Sequence, residues 1–320
     1  MGKPATNSHP PSSSLASITT TLHGIISSAL TPSSKATYAR SWTLFTDFTN
    51  LVQLQASFPV SVTSMSLFIA YLVERGYKPS TISTHISAIG YMHKLQGLED
   101  CTSSFLIIQL LKSIHKANPT TDTRLPIDKF LLEKLIEASA FVTQSVYERA
   151  MMAAMFAVAF HAFLRIGEIT VRSPKAVNQH LLGLRSIQMG SNFFNIQFLS
   201  YKHSQGKCFS LSVKKASGPR FCPFILLQEF LKLRGQVDGP LFCLQSGSPV
   251  LRQKFDDLLK KALIFAKVNP RSFKGHSFRI GAATWAAAQG SSELAIKQMG
   301  RWKSDAYKKY IRNTYKVSAI

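Results

Sequence analysis

Two short segments of the chain place arginine and histidine where they could bind an anion. The segment LRIGEI puts Arg165 after a long apolar run and three residues before Glu168. A buried guanidinium is costly unless an anion meets it, so Arg165 either pairs with Glu168 or serves an external phosphate. The segment GHSFR puts His276 and Arg279 on one face of a predicted helix, near its positive N-terminal end. Both segments could bind phosphate, and for both the alternative is a structural role.

A third, strongly cationic segment carries two tyrosines and reads GRWKSDAYKKYIR. Tyrosines flanked by lysines are ordinarily amphipathic surface residues. A dense positive environment nevertheless helps to stabilise a phenolate and attracts the DNA strand that it could attack. Tyr307 and Tyr310 lie three residues apart on the same predicted helix, so both could face one phosphate, and spacing alone does not choose between them.

Lys202 lies on the predicted turn between the strand segments FFNIQFLS and CFSLSVK. A hairpin lysine in such a position usually serves solubility. Phosphodiester cleavage, however, needs an acid that protonates the leaving oxygen. Lys202 is therefore a candidate acid in a chain that also offers a nucleophile and phosphate-binding arginines.

The charge of the chain favours a polyanionic partner. Lysine and arginine number 38 against 16 acidic residues, which gives a net charge of +22. Residues 1–120 carry 8 basic and 4 acidic side chains, whereas residues 121–320 carry 30 and 12. Cations that neutralise phosphates release condensed counterions, so the second part of the chain is expected to hold the main DNA contacts. The alternative is a generally basic, solvated surface, because charge alone names no reaction.

The cysteines and the apolar runs indicate neither a metal site nor a membrane span. The four cysteines have no CxxC pairing and no histidine at zinc-finger spacing, and we expect small, buried, reduced side chains at Cys101, Cys208, Cys222 and Cys243. The longest apolar run, Met151 to Leu164, is interrupted by His161 and is shorter than the roughly 18 residues of a membrane span. It predicts a buried core helix.

The pattern of apolar residues predicts two domains of a mostly α fold with a small β-sheet (α+β). Residues 1–15 are rich in Ser and Pro and are expected to be a flexible lead-in. Helical periodicity then predicts a bundle of about five helices over 16–117, and two prolines mark a linker at 118–126. Over 127–320, helices flank three short β-rich runs, LRSIQMG, FFNIQFLS and CFSLSVK.

The order of these segments resembles the tyrosine recombinases, the phage integrase-like family. LRIGEI, a hairpin lysine, GHSFR, GRW and KKYIR follow one another between Tyr147 and Arg312, and their wording is closest to eukaryotic transposon recombinases of the DIRS and Crypton types. Each segment alone is unspecific, but their joint order in one basic domain is specific. The resemblance implies a C-shaped clamp on DNA, formed by a helical, SAM-like core-binding domain at 16–117 and a catalytic domain at 127–320.

The resemblance also implies roles at the scissile phosphate. Arg165 and Arg279 would bind its nonbridging oxygens and stabilise the transition state. Lys202 would protonate the departing 5′ oxygen. His276 would transfer a proton at the attacking side or hold the phosphate. No metal ion or other cofactor is expected, because the arginines supply the positive charge.

The remaining residues would position these groups and supply the nucleophile. Trp302 would direct its indole N–H at the phosphate and pack the nucleophile segment, and Glu168 would orient Arg165. Tyr310 would be the nucleophile, because YIR matches the family's wording and relatives commonly carry a packing residue at the position of Tyr307. Trp302 precedes Tyr310 by eight residues, a shorter spacing than is usual in the family, so Tyr307 stays the alternative.

The resemblance therefore implies a site-specific recombinase or integrase of transposon origin that cleaves and rejoins DNA through a 3′-phosphotyrosyl intermediate and a Holliday junction. The expected partners are double-stranded DNA and further copies of the chain, as a tetramer on two sites, with no membrane. The expected location is the nucleus in a eukaryote and otherwise the cytoplasm. The alternatives are an enzyme like the type IB topoisomerases and an inactive, domesticated DNA-binding protein.

Overall fold

The computed structural model describes residues 14–55, 58–119, 122–175, 178–201, 206–216, 218 and 220–312. The chain divides into two compact units, Met1–Thr121 and Asp122–Ile320, called here the N-terminal and C-terminal units. Each unit has its own hydrophobic core. The division falls inside the segment 118–126 in which the sequence predicts the linker.

The N-terminal unit is helical throughout its regular structure. Its helices are α1 (Leu15–Ser28), α2 (Pro32–Leu51), α3 (Val62–Glu74), α4 (Pro79–Leu95) and α5 (Phe105–Ala117). Four of them begin after a serine or threonine whose side-chain oxygen accepts a backbone N–H of the first turn, and these caps are Ser14, Thr31, Ser61 and Ser104. The helices predicted from periodicity and capping are all confirmed.

Helix α1 differs from the other four helices of this unit because none of its residues is buried. Its apolar side chains Leu15, Ile18, Leu22 and Ile25 are all more than half exposed. The core instead lies between α2, α3, α4 and α5, and includes Phe45, Phe68, Leu72, Ile86 and Ile107. The prediction of a compact bundle of about five helices is therefore wrong for α1: periodicity predicts a helix with an apolar stripe but not the surface on which the stripe packs.

The C-terminal unit is built around α7. Its helices are α6 (Lys129–Val142), α7 (Val146–His161), α8 (Pro223–Arg234), α9 (Arg252–Phe265), α10 (His276–Ala288) and α11 (Glu293–Gly300). Every residue of α7 from Met151 to Phe160 is buried, which confirms the predicted core helix. Among the described helices, none combines the length and the apolar character needed to cross a membrane.

A small antiparallel sheet covers one part of this core. It consists of β1 (Ile187–Met189), β2 (Phe193–Phe198) and β3 (Phe209–Lys214) in the order β1-β2-β3. Phe194, Ile196 and Phe198 alternate with more exposed residues along β2, so one face of the sheet packs on the core. This is the mostly α architecture with a small sheet that the sequence predicts.

Two short segments differ from their predicted form. The predicted core helix does not reach Leu164: α7 ends at His161, Phe163 has a φ of 51°, and Arg165 precedes a 3₁₀ turn at Ile166–Glu168. The two tyrosines lie on a 3₁₀ segment, Asp305–Tyr310, rather than on an α-helix. In both segments the contacts described below override the local helical pattern.

The cysteines are free, and Cys101, Cys222 and Cys243 are buried as predicted. Cys208 is exposed, which contradicts the expectation of a buried side chain, because it lies just before β3 and outside the alternating buried face of the strand. The predicted lead-in lies outside the described residues up to residue 13. The clamp-like arrangement of the two domains stays a prediction.

Candidate active site

Arg165 combines a fixed backbone with a partly free side chain. Its backbone N–H donates to Oε2 of Glu168 at 2.9 Å, while its Nη1 lies at a longer 3.3 Å from Oε1 of the same carboxylate. The Arg165 side chain is 24% exposed, whereas that of Glu168 is only 3% exposed. The turn therefore fixes the Arg165 backbone and leaves its side chain partly exposed.

Arg279 is fully buried on α10, behind the site. Its Nη1 donates to the carbonyl of Phe163 and its Nη2 to the carbonyl of Gly300. Burial, followed by the positive charges of Arg165 and Arg301, lowers the pKa of Arg279, although a guanidinium remains protonated at neutral pH. Among the described residues its hydrogen-bond partners are carbonyls, so no carboxylate neutralises it directly.

Trp302 covers the Arg279 guanidinium and contacts the candidate nucleophile. The guanidinium carbon lies 4.0 Å from the centre of the Trp302 ring, a cation–π contact, and the Trp302 and Tyr310 ring centres are 4.9 Å apart. This packing requires Gly300, because a Cβ there would lie 1.6 Å from Cζ3 of Trp302. The glycine of the GRW segment thus allows the tryptophan to fold back onto the site.

His276 begins α10 and lies beside Tyr310, with 5.0 Å between the two ring centres. Burial is the largest influence on the imidazole, and the cations Arg124 and Arg279 add to it, so the pKa of His276 falls to about 4. The ring is therefore neutral at pH 7. A neutral imidazole beside a phenol can accept its proton.

The two tyrosines of the 3₁₀ segment occupy different environments. Tyr307 is 1% exposed, and burial together with the Glu293 carboxylate raises its pKa to about 12. Tyr310 is half-buried, and its ring lies 5.7 Å from the guanidinium carbon of Arg279. The expectation that both tyrosines could face one phosphate is wrong for Tyr307, because its ring packs in the core, and this difference favours Tyr310 as the nucleophile.

A network of ion pairs and hydrogen bonds holds the chain at Tyr310 and just after it. Arg312 donates from Nη2 to Asp122 at 2.8 Å, and Asp122 also accepts from Nε of Arg124 at 2.7 Å. The hydroxyl of Thr284 contacts the Tyr310 carbonyl at 3.2 Å and accepts the Arg312 N–H at 3.1 Å. Arg124 is thereby placed near Tyr310 and near His276, and its charge contributes to the lowered pKa of His276.

The structure brings together most of the predicted site. Lys202 lies outside the described residues, so its predicted role as an acid stays a prediction. The described site residues that do meet are Arg165, Glu168, His276, Arg279, Trp302 and Tyr310. Two further arginines that the sequence analysis did not select join them. Arg301 could have been suspected only from its place beside Trp302. Arg124 lies in the predicted linker, and nothing in the sequence marked it as a site residue.

The charge of this cluster is strongly unbalanced. Among the described residues, Arg165, Arg279 and Arg301 share one carboxylate, Glu168. Positive charge held in partly desolvated surroundings is strongly stabilised by an incoming anion. The cluster can therefore bind a phosphate next to the half-buried hydroxyl-bearing ring of Tyr310.

No model of a known protein family matches the chain, but individual proteins are similar to it in sequence or in fold. The recombinase Cre of Escherichia phage P1 is 23% identical over 298 residues, which cover 86% of this chain and 81% of Cre. The fold resembles the XerH site-specific recombinase bound to palindromic difH substrate in a post-cleavage complex, with a TM-score of 0.63, 17% identity, and coverage of 87% of this chain and 75% of XerH. It also resembles the Tn1549 transposon integrase in complex with transposon right end DNA, with a TM-score of 0.60, 12% identity, and coverage of 88% and 90%.

The similarity to Cre extends over most of both sequences and includes both structural units, and the fold is the one found in site-specific recombinases. On this evidence the chain has the fold of site-specific recombinases and is similar in sequence to one of them, Cre.

Proposed function

We propose that the chain is a site-specific DNA recombinase that cuts and rejoins strands through a covalent bond to Tyr310. The proposal rests on one observation: an arginine that no carboxylate neutralises directly lies beside a half-buried tyrosine. The guanidinium carbon of Arg279 is 5.7 Å from the centre of the Tyr310 ring. Phosphoryl transfer depends on positioning and on positive charge at the equatorial oxygens. Arg165 and Arg279 supply that charge.

The proposed reaction is a transesterification at the scissile phosphate. The Tyr310 oxygen forms a bond to phosphorus while the bond from phosphorus to the 5′ oxygen breaks. The neutral His276 ring accepts the phenol proton, and Lys202 donates a proton to the departing 5′ oxygen. The 5′ hydroxyl of a second strand then attacks the phosphotyrosine and releases Tyr310. The covalent bond conserves the energy of the phosphodiester, so rejoining needs no ATP.

The proposal extends to the assembly and the location of the protein. Exchange of both strand pairs through a Holliday junction requires four active sites, so we propose a homotetramer on two DNA sites. The similarity to a transposon integrase supports an origin in a mobile element. A nuclear location is proposed for a eukaryotic host and a cytoplasmic location otherwise.

The direct test is formation of a covalent protein–DNA complex. The protein is incubated with duplexes that carry a nick within a candidate site, so that the short 5′-hydroxyl fragment diffuses away and the complex accumulates. Denaturing electrophoresis then separates the adduct from free DNA. An adduct supports the proposal, whereas specific binding to the same duplexes without an adduct would support the inactive DNA-binding protein.

A second candidate function shares the chemistry of the first. A type IB topoisomerase also forms a phosphotyrosine but acts as a monomer, and the arginine cluster alone fits both enzymes. The similarity to Cre across both units favours the recombinase. Accumulation of a four-way junction from two duplexes supports recombination, and relaxation of supercoils without a junction supports the topoisomerase.

A further inference from the structure

Arg301 makes the closest side-chain contact with the carboxylate at the centre of the site. Its Nη2 lies 2.8 Å from Oε2 of Glu168, and the two side chains are 0% and 3% exposed. Arg165 also approaches this carboxylate, but at 3.3 Å and with a side chain that is 24% exposed. The buried ion pair of the site is therefore the one between Arg301 and Glu168.

Other contacts of Arg301 fix its guanidinium in this place. Its Nη1 and Nη2 lie 3.4 Å from the carbonyls of Ala162 and Phe163, and its guanidinium carbon lies 3.9 Å from the centre of the Phe198 ring on β2. Its backbone adopts a φ of 55° as the C-cap of α11. This conformation sends the Arg301 side chain inward, while Trp302, the next residue, covers Arg279.

The charge arrangement explains what such a residue does. If Glu168 had Arg165 as its one counterion, the pair would be neutral and Arg165 would be drawn toward the carboxylate. With Arg301 beside it, the Glu168 charge is already cancelled by a buried partner. The positive charge of Arg165 then stays available to bind a phosphate. The longer contact of Arg165 with Glu168 orients its guanidinium without neutralising that charge.

We infer that Arg301 is a positioning residue that neutralises Glu168 and so releases Arg165 to bind the scissile phosphate. This inference rests on the proposed function, because it assigns Arg301 a part in the same reaction. It also decides between the two roles that the sequence leaves open for Arg165: the structural ion pair with Glu168 is made chiefly by Arg301.

The test compares three variants of the full chain in single-turnover cleavage of the nicked duplex. Arg301→Met keeps much of the side-chain volume but leaves Glu168 to Arg165, and we expect cleavage to fall by roughly a hundredfold. Arg301→Lys keeps the charge and should retain most of the rate. The double variant Arg301→Met/Glu168→Gln removes both charges of the buried pair, frees Arg165 again, and should cleave about tenfold faster than Arg301→Met.

A matched control separates this role from a loss of stability. Arg234 is a half-buried arginine whose guanidinium donates to the carbonyls of Pro240 and Leu241 at the end of α8. Arg234→Met should lower the thermal midpoint without lowering cleavage by the folded protein. Recovery in the double variant supports the inference, whereas a double variant no faster than Arg301→Met, or slow cleavage by Arg301→Lys, would overturn it.

Binding of inorganic phosphate gives a readout that does not depend on cleavage. Phosphate that binds the folded protein raises its thermal midpoint, and this rise is measured for the wild type and for each variant. Arg165→Ala is the reference, because its rise lacks the contribution of this site. The phosphate-induced rise should be larger in the wild type and in the double variant than in Arg165→Ala. In Arg301→Met it should be no larger than in Arg165→Ala. If the thermal midpoints follow this pattern but the wild type forms no covalent adduct, the proposed function fails and the role of Arg301 in freeing Arg165 stands. Equal phosphate-induced rises in the wild type and Arg301→Met would refute the role of Arg301.

Discussion

The two units of the chain bury different kinds of polar group. In the N-terminal unit the buried polar side chains are neutral or weakly basic, namely Ser41, Thr49, His85 and His93. They satisfy one another or the backbone: Ser41 contacts Nδ1 of His85 at 2.8 Å, and Nε2 of His93 accepts the Val60 N–H at 2.8 Å. The C-terminal unit also buries neutral groups, but among the described residues it alone buries charged side chains, namely Glu168, Arg279 and Arg301.

This difference indicates which buried groups serve folding and which serve function. Hydrogen bonds of the kind found in the N-terminal unit fix a core at little cost. Buried guanidiniums are expensive, and the Nε atoms of both Arg279 and Arg301 are buried without a hydrogen-bond partner among the described residues. A fold gains nothing from such groups by itself, so their presence points to an anion that completes the site.

The largest expected effect is the loss of DNA cleavage when the Arg165 charge is removed and the fold is kept. In Arg165→Ala the Glu168 carboxylate keeps Arg301 as its partner, so the free energy of unfolding should fall by no more than about 1 kcal/mol. Cleavage of the nicked duplex should fall by roughly a hundredfold or more, because a transition-state donor is lost. Thermal denaturation and single-turnover cleavage measure the two quantities.

The control for Arg165→Ala is Arg185→Ala in the same unit. Arg185 forms an ion pair with Asp238 on the surface, where its side chain is 84% exposed. Its removal should leave cleavage unchanged. Equal losses of cleavage in the two variants would mean that general positive charge, rather than the buried cluster, is responsible.

A smaller effect is expected from disturbing the packing around the buried charge. In Gly300→Ala the added Cβ would lie 1.6 Å from Trp302, so the ring must move away from Arg279 and Tyr310. We expect cleavage to fall by about tenfold to a hundredfold, as for other displacements of about 1 Å. Gly97→Ala on the N-terminal unit, where no atom lies within 4 Å of the added Cβ, is strained by its φ of 68° but should leave cleavage by the folded protein unchanged.

The smallest effect concerns the pH dependence of stability. The pKa of His276 is about 4 in the folded chain against 6.5 for a free side chain, so the unfolded state binds more protons between these values. Stability should therefore fall as the pH is lowered from about 6.5 to 4, with no further loss from this group below that range. Denaturation midpoints measured across the window should depend less on pH in His276→Gln, and an unchanged dependence would contradict the lowered pKa.

Much of this arrangement can be predicted from the sequence, for reasons that differ between residues. Helices such as α3 and α5 follow from apolar periodicity and serine caps, which are local properties. The meeting of Arg165, His276 and Arg279 could be expected because their segments resemble those of one family in the same order. The packing of α1 could not be predicted, because exposure of its apolar stripe depends on what the rest of the chain covers.

The roles of Arg301 and the two tyrosines could not be predicted either. Whether Arg301 or Trp302 points inward depends on a φ of 55° at Arg301, which no pattern of residue types specifies. Tyr307 and Tyr310 are equivalent by spacing, and they differ only because the 3₁₀ segment buries the first against the core and leaves the second half-exposed beside His276.

The most direct measurement of the central claim is the identity of the tyrosine that carries DNA in the trapped complex. After proteolysis, mass spectrometry locates the peptide that retains the nucleotide remnant, and Tyr310→Phe and Tyr307→Phe are trapped in parallel. The half-buried position of Tyr310 and the raised pKa of the buried Tyr307, about 12, predict that the remnant lies on Tyr310. Tyr310→Phe should abolish the adduct with DNA binding retained, while Tyr307→Phe should still form it. A remnant on Tyr307, or an adduct formed by Tyr310→Phe, would contradict the account.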